Sequence, residues 1–296
     1  MYNSEPWISK CLQSLLRQQF NEDQYEILVI DDGSTDKGAE IVESLMRNNP
    51  QILLIKQVNK GQAAARNTGI RNAQGRYIGF VDSDDYLEAN SLYSILEIAI
   101  NNDLEILTYN MVLENQSNVA HIGKSIEPIQ TGAEYIATHN YNNGPWYYLT
   151  KTAHIIDNGI YFQEGRYCED GMFTMKLFLS TRRISHIDYD VYHYVLHPGS
   201  TVTRKDNKHQ MKMIEDFTYA VDYMTALIES KSGELSDACL LRLSTRRNSY
   251  IYFLQLRMLR SSMPINTIME SIQKLEGGGD ISVSKIIQGR LPWFQN

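Results

Sequence analysis

An α/β fold is predicted for the first 204 residues of this 296-residue chain, on three observations. Short apolar runs of strand length alternate with amphipathic stretches of helix length, joined by short connections. The first of these runs, "YEILVIDD" (25–32), is apolar on successive residues, as a buried parallel strand is. Acidic residues gather at the carboxyl ends of the runs, where open α/β sheets bind their ligands.

The opening "NSEPWISKCLQSLLRQQF" reads as a helix, with Asn3 or Ser4 as cap, Pro6 in its first turn, and Ile8, Cys11, Leu12, Leu15 and Leu16 on one face. "YEILVIDD" is the first visible strand. "KGAEIVESLMRNN" then predicts a helix, "QILLIKQ" a strand, "GQAAARNTGIRNA" a helix and "RYIGFVD" a third strand. "ANSLYSILEIAINN" predicts a helix and "LEILTYN" a strand. From about residue 112 the pattern weakens into a turn-rich segment, followed by a helix at 132–139 and the aromatic stretch "GPWYYLTKTAHIIDNGIYF". "EDGMFTMKLFLST" is helical, and "RISHID" and "VYHYVL" read as two strands. Nearly everything from Lys205 onward reads as helix, with breaks near Ser232-Gly233, Met263-Pro264 and Gly277-Gly278-Gly279. This gives two regions, 1–204 and a helical 205–296.

A formal net charge of -7 argues against nucleic acid as the main partner. The 3 cysteines, Cys11, Cys168 and Cys239, are too few and too scattered for a thiolate metal site or a disulfide framework. No signal peptide or membrane-spanning run is read, so the expected location is cytoplasmic. "DACLLRLSTRRNSYIYFLQLRMLRSS" carries Arg242, Arg246, Arg247, Arg257 and Arg260 beside Leu240, Leu243, Ile251, Leu254 and Met258. Such a helix either lies on an anionic membrane surface or packs on the catalytic domain with its arginines solvated.

Four stretches carry chemistry: "VIDDGSTD", "NKGQAAARNTGI", "FVDSDD" and "YCEDGMF". Asp82, Asp84 and Asp85 crowd three carboxylates into four positions, and such like charges raise one another's pKa unless a cation sits among them. Hard Mg²⁺ or Mn²⁺ suits oxygen ligands of this kind and can bridge a carboxylate to phosphates. The small residues Ala63, Ala64 and Ala65 behind Gly61 permit close approach at a helix N-terminus that favours an anion. Glu169 and Asp170 open a helix, where acids complement the dipole whatever else they do.

In order and spacing these four stretches resemble family-2 glycosyltransferases of the GT-A fold, over about the first two hundred residues. The resemblance implies a nucleotide-diphospho-sugar transferase fold, a Rossmann-like mixed sheet flanked by helices. It implies that Asp32, with Asp31 beside it, meets the nucleotide base, and that Arg66 lies against the base or the diphosphate. Asp82-Ser83-Asp84 matches the D-x-D motif, with Asp84 on the metal and Asp82 on the ribose or a metal-bound water. Asp170 takes the usual position of the general base, with Glu169 next in line. "HYVLHPGSTVTR" is similar to a phosphate-closing loop in which His197 ligates the metal or donates to phosphate, alongside Ser200 and Arg204; His193 points the same way. Trp146 is the candidate for an acceptor-sugar platform. The expected reaction is metal-dependent transfer of a sugar from a nucleotide diphosphate, UDP first, to an acceptor hydroxyl with inversion. Saccharide acceptors, lipid-linked ones included, are the implied partners, in surface-polysaccharide synthesis with peripheral contact at the inner membrane face. The rival readings are a silent or truncated nucleotide-sugar-binding protein and a nucleotidyltransferase. Family members begin with an apolar V-I-V-P-x-Y-N strand, so a strand beside "EILVIDD" is expected to be missing ahead of Met1, through a late start site or a truncated gene.

Overall fold

The computed structural model describes residues 1–114, 125–197 and 207–276. The chain divides into two compact units, Met1–Pro198 and Gly199–Asn296.

In the first unit, α1 (Ile8–Leu16) precedes β1 (Ile27–Asp31), α2 (Gly38–Met46), β2 (Ile52–Lys56) and α3 (Gln62–Asn72). β1 and β2 pair in parallel, with Ile27 opposite Ile52 and Asp31 opposite Lys56. Their apolar residues form a core with α1 and α2 made of Ile8, Leu12, Ile27, Val29, Val42 and Ile52. β3 (Tyr77–Gly79), β4 (Tyr86–Leu87), α4 (Ser91–Asn101) and β5 (Ile106–Leu113) follow. After them come α5 (Gly132–Thr138), a 3-10 turn at Pro145–Tyr147, β6 (Tyr148–Lys151), α6 (Thr152–Asp157), α7 (Glu169–Ser180) and β7 (Ile184–Tyr194). Five of these strands form a second, mixed sheet in the order β3-β6-β5-β7-β4. Only β5 and β7 run parallel in it. Among the described residues no ladder joins the two sheets. The backbone of Met1 lies along β1, its carbonyl accepting from the Asp32 amide at 2.9 Å.

Several elements differ from expectation. Asn3 and Ser4 do not cap α1, whose N-cap is Trp7 without a side-chain bond. The Asn3 carboxamide instead accepts from the Thr35 amide at 2.8 Å, and the Ser4 hydroxyl meets that of Ser83 at 2.7 Å. "RISHID" and "VYHYVL" are one strand, β7, which bulges beside Asn110 so that the partners of Thr108 and Asn110 are His186 and Asp190. A bulge breaks the simple period from which one strand is read. The aromatic stretch hides β6, whose Tyr148, Leu149 and Thr150 are all buried because it is a central strand. Where α5 crosses α7, a Cβ on Gly132 would collide with the Phe178 carbonyl, so only glycine fits there. A capping box between Thr131 and Glu134 starts α5 beside it.

The second unit contains α8 (Asn207–Lys231), α9 (Asp237–Leu259) and α10 (Ile265–Glu276). Four of the apolar residues expected to meet a membrane, Leu243, Ile251, Leu254 and Met258, are buried. Tyr250 of α9 touches Phe217 of α8 at 5.5 Å between ring centres, and the Arg257 guanidinium lies over the same Phe217 ring, while Arg242 and Arg260 are exposed. The stripe is thus covered by α8 within the second unit. No described helix is long and apolar enough to cross a membrane.

Candidate active site

The acidic pair ending β1 is buried, Asp31 to 4% and Asp32 to 3% exposure. Asp32 accepts from Gln57 Nε2 at 2.7 Å, the Lys60 amide at 2.9 Å and the Gly61 amide at 2.8 Å. It thus ties the end of β1 to the start of α3. Three donors offset the cost of burying the charge and leave only part of its accepting capacity for a ligand. Asp31 accepts from the Ser34 amide at 3.0 Å. Gly33, at φ +74°, is needed in this turn because a Cβ would sit 2.9 Å from the Asn59 amide nitrogen.

Arg66 lies one turn inside α3 and is 8% exposed. Its guanidinium is shared by three acids from two further segments. Nη2 meets Asp82 at 2.9 Å, and Nη1 meets Glu169 at 3.4 Å and also Asp170. Residues more than one hundred positions apart are thereby brought to one charge. The small Ala63, Ala64 and Ala65, all buried, let α3 approach closely enough for this. Asn67, 1% exposed, holds the neighbouring loop: its carboxamide bonds both the carbonyl and the amide of Phe162 at 2.9 Å.

Glu169 and Asp170 open α7 after Cys168, which adopts a left-handed φ of 64°. Burial first, then the charge of Asp170, pushes the Glu169 carboxyl up to about 8, against the pull of Arg66. Burial also raises Asp170, and here too Arg66 opposes it. Burial thus favours the protonated form of both carboxyls, and Arg66 the ionised form.

The acidic loop after β3 is organised by β7. The Tyr192 hydroxyl donates to Asp85 at 2.6 Å and accepts from the Asp82 amide at 3.2 Å. Asp85 also accepts from the Val195 amide at 2.8 Å, and burial raises its carboxyl to about 7. Asp85 therefore orients its neighbours. Two residues beyond Val195, His197 Nε2 meets Asp84 Oδ2 at 2.7 Å. His193 faces elsewhere, on Glu88 at 2.9 Å and stacked on Tyr86. Of the two histidines, only His197 reaches the D-x-D acids. Asp84, more exposed than Asp85, and His197 offer an oxygen and a nitrogen side by side, a donor pair compatible with Mn²⁺ or Mg²⁺ that completes its shell from phosphates and water. Among the described residues no group of three or more His, Cys, Asp and Glu could hold a metal alone.

Trp146 does not present an open platform. It is 9% exposed, stacks on Tyr192 at 4.9 Å, and has Gly144 against its indole ring. Ser200 and Arg204 lie outside the described residues. Trp7, Tyr192, Asn67 and Gln57 were not read from sequence. Trp7 stacks on His197 at 4.3 Å, and its place beside Pro6 at a helix start was a usable signal. The other three act through contacts that span 25 to 110 positions of sequence and leave no local pattern.

The mixed α/β fold, with carboxylates gathered at the end of β1, in the loop after β3 and at the start of α7, is that of the GT-A glycosyltransferases. The chain belongs to glycosyl transferase family 2, whose family model matches residues 1–161. It is 31% identical over 209 residues to the uncharacterized glycosyltransferase EpsJ of Bacillus subtilis, covering 68% of this chain and 60% of that protein. It is 30% identical over 243 residues to the poly(ribitol-phosphate) beta-N-acetylglucosaminyltransferase TarS of Staphylococcus aureus, covering 80% of this chain and 40% of that one. The crystal structure of S. aureus TarS 1–349 in complex with UDP-GlcNAc superposes with a TM-score of 0.68 at 27% identity, over 84% of this chain and 70% of that one. The chain thus spans less than two thirds of the length of these curated relatives.

Proposed function

We propose that this chain transfers a sugar from a uridine diphosphate donor to a hydroxyl of a cell-surface polymer, in one metal-dependent displacement that inverts the anomeric carbon. One observation carries the reading: Arg66 joins the D-x-D acid Asp82 to Asp170, so the donor loop and the candidate base border a single cleft. The likeness to TarS, which was solved with UDP-GlcNAc, supports a uridine nucleotide and a polymeric acceptor.

In this reading the β1 end, with Asp31 and Asp32, and the start of α3 form the base side of the cleft. Asp84 and His197 would hold a Mn²⁺ or Mg²⁺ ion, with Asp82 close by. When bound, that ion supplies Lewis-acid stabilisation of the charge on the departing diphosphate. Asp170 accepts the proton of the acceptor hydroxyl as its oxygen attacks the anomeric carbon from the face opposite the diphosphate. Burial raises the Asp170 carboxyl and so makes it a stronger base than a solvated carboxylate, while the Arg66 guanidinium favours its ionised form. Glu169, almost fully buried behind it, sets the local charge and exchanges protons with it.

The test is release of UDP from UDP-GlcNAc and UDP-glucose with Mn²⁺, with and without a poly(ribitol phosphate) acceptor. Acceptor-stimulated release supports the reading. Tight UDP-sugar binding without turnover on any polymer would leave a binding protein and overturn it.

A further inference from the structure

A second recess lies away from the Arg66 cluster, on the first unit, where β7 bulges against β5. It has a volume of about 390 Å³, within the range of small-molecule sites, and polar groups converge on it. Asn110 donates to Asp188 at 2.7 Å and to Asp190 at 3.2 Å, and the bulge is what turns both acids toward one carboxamide. Opposite them the ring of His139 lies flat on Tyr135, 4.1 Å between centres and 4° from parallel. Asn140 and Asn142, both exposed, close the rim.

The chemistry of this lining selects its ligand. Among the described residues no Lys or Arg lines the recess. His139 is already engaged by Glu127 at 2.8 Å, and burial lowers His186, so that it carries no charge near neutral pH. Phosphate and other anions therefore find no cation there, while Asp190 and Asp188 repel them. Side-chain amides and carboxylates offer paired donors and acceptors to vicinal hydroxyls, and a flat ring suits the C–H face of a pyranose. The recess is linked to the acidic loop through packed aromatic rings. Tyr147 lines it, while the adjacent Trp146 stacks on Tyr192, whose hydroxyl holds Asp85 of the acidic loop.

We propose that this recess binds a neutral sugar unit of the acceptor, at a distance from the hydroxyl that reacts. Its role as an acceptor subsite rests on the glycosyl-transfer reading; sugar binding in the recess does not. The test therefore uses no donor. Saturation-transfer NMR on the whole chain is run with the methyl glycosides of glucose, galactose, N-acetylglucosamine and N-acetylgalactosamine. Asn140→Trp, at an exposed rim position, blocks the recess, and Asp190→Ala removes one of its acceptors. At least one glycoside is expected to bind, and to weaken roughly tenfold or more in both variants, the effect of losing one or two hydrogen bonds. Asp170→Asn, in the other cleft, is expected to leave this binding unchanged. Absence of binding by all four glycosides overturns the proposal. So does binding that survives Asn140→Trp or that Asp170→Asn removes, since either places the sugar elsewhere. UDP release measured in parallel reports on transfer separately, so a failure of one reading is not mistaken for a failure of the other.

Discussion

Replacing Arg66 by Met keeps the length and apolar stem of the side chain and removes the one guanidinium shared by Asp82, Glu169 and Asp170. Breaking a buried ion pair costs about 3–5 kcal/mol because the stranded charge cannot be solvated. Asp82 and Asp170 keep 25% and 29% side-chain exposure, so water relieves part of their loss, while Glu169 at 8% gains almost none. The lower end, about 3 kcal/mol, is expected near pH 8. The size must depend on pH. Glu169 is raised from 4.5 to about 8, so the folded state holds its proton more tightly than the unfolded state does. Stability then falls as pH rises from the ordinary carboxylate value through the folded one. Without Arg66 the folded values of Glu169 and Asp170 move higher still, and the fall deepens and extends upward. Near pH 5.5, well below the value of about 8 for the folded Glu169 carboxyl, that group is largely protonated and the substitution should cost less, roughly 1–2 kcal/mol. Urea unfolding of both proteins at the two pH values reads the difference. Equal destabilisation at both would mean that these carboxyls do not titrate as a group around Arg66, and the electrostatic account of the cluster would be wrong.

Asp170→Asn should lower transfer by about 10²–10⁴-fold while UDP binding stays within a few-fold, read by UDP release and calorimetry; near-wild-type transfer would move the base to Glu169. Asp84→Ala should abolish the Mn²⁺-dependent part of UDP binding, and calorimetry that still shows it would remove Asp84 from the metal. Tyr192→Phe keeps the stack with Trp146 but takes a hydrogen bond from Asp85, whose carboxyl then rises further above about 7. A loss of about 1–2 kcal/mol in stability near neutral pH is expected by urea unfolding, shrinking as the pH falls below that value and Asp85 becomes protonated.

The early elements were legible because their signals are local. "EILVIDD" and "QILLIKQ" are parallel strands, the first mostly buried as its apolar run predicts, and α3, α4 and α7 fall where helices are expected. β6 was not legible, since Trp146, Tyr147 and Tyr148 read equally well as an aromatic loop, and only their pairing with β3 and β5 makes a strand of the stretch. The long β7 was split by its own bulge. In the site, the acids announced themselves by crowding, but the partner of each did not. That Arg66 faces Asp170, or that Tyr192 carries Asp85, follows from how α3 and β7 pack, and packing between distant segments has no signature along the chain.

The two sheets of the first unit meet without a shared ladder among the described residues, and the proposed cleft lies across that seam, with Asp31 and Asp32 on one side and the Asp82–Asp85 loop on the other. What spans the seam is mostly side chain: Arg66 to Asp82, Gln62 to Asp82 at 3.3 Å, Ser4 to Ser83, Cys11 to the Asp82 carbonyl and Gln18 to the Glu88 carbonyl, with one backbone bond from the Asn90 amide to the Arg17 carbonyl at 3.2 Å. A ladder is stiff because its bonds break together; isolated contacts of this kind yield one at a time, at about 1 kcal/mol each. The seam is therefore expected to yield more readily across its width than along its strands. In the proposed reaction a ligand holding both walls would work against these separate contacts, and its grip on the acidic loop would set the spacing at which Asp170 meets the acceptor.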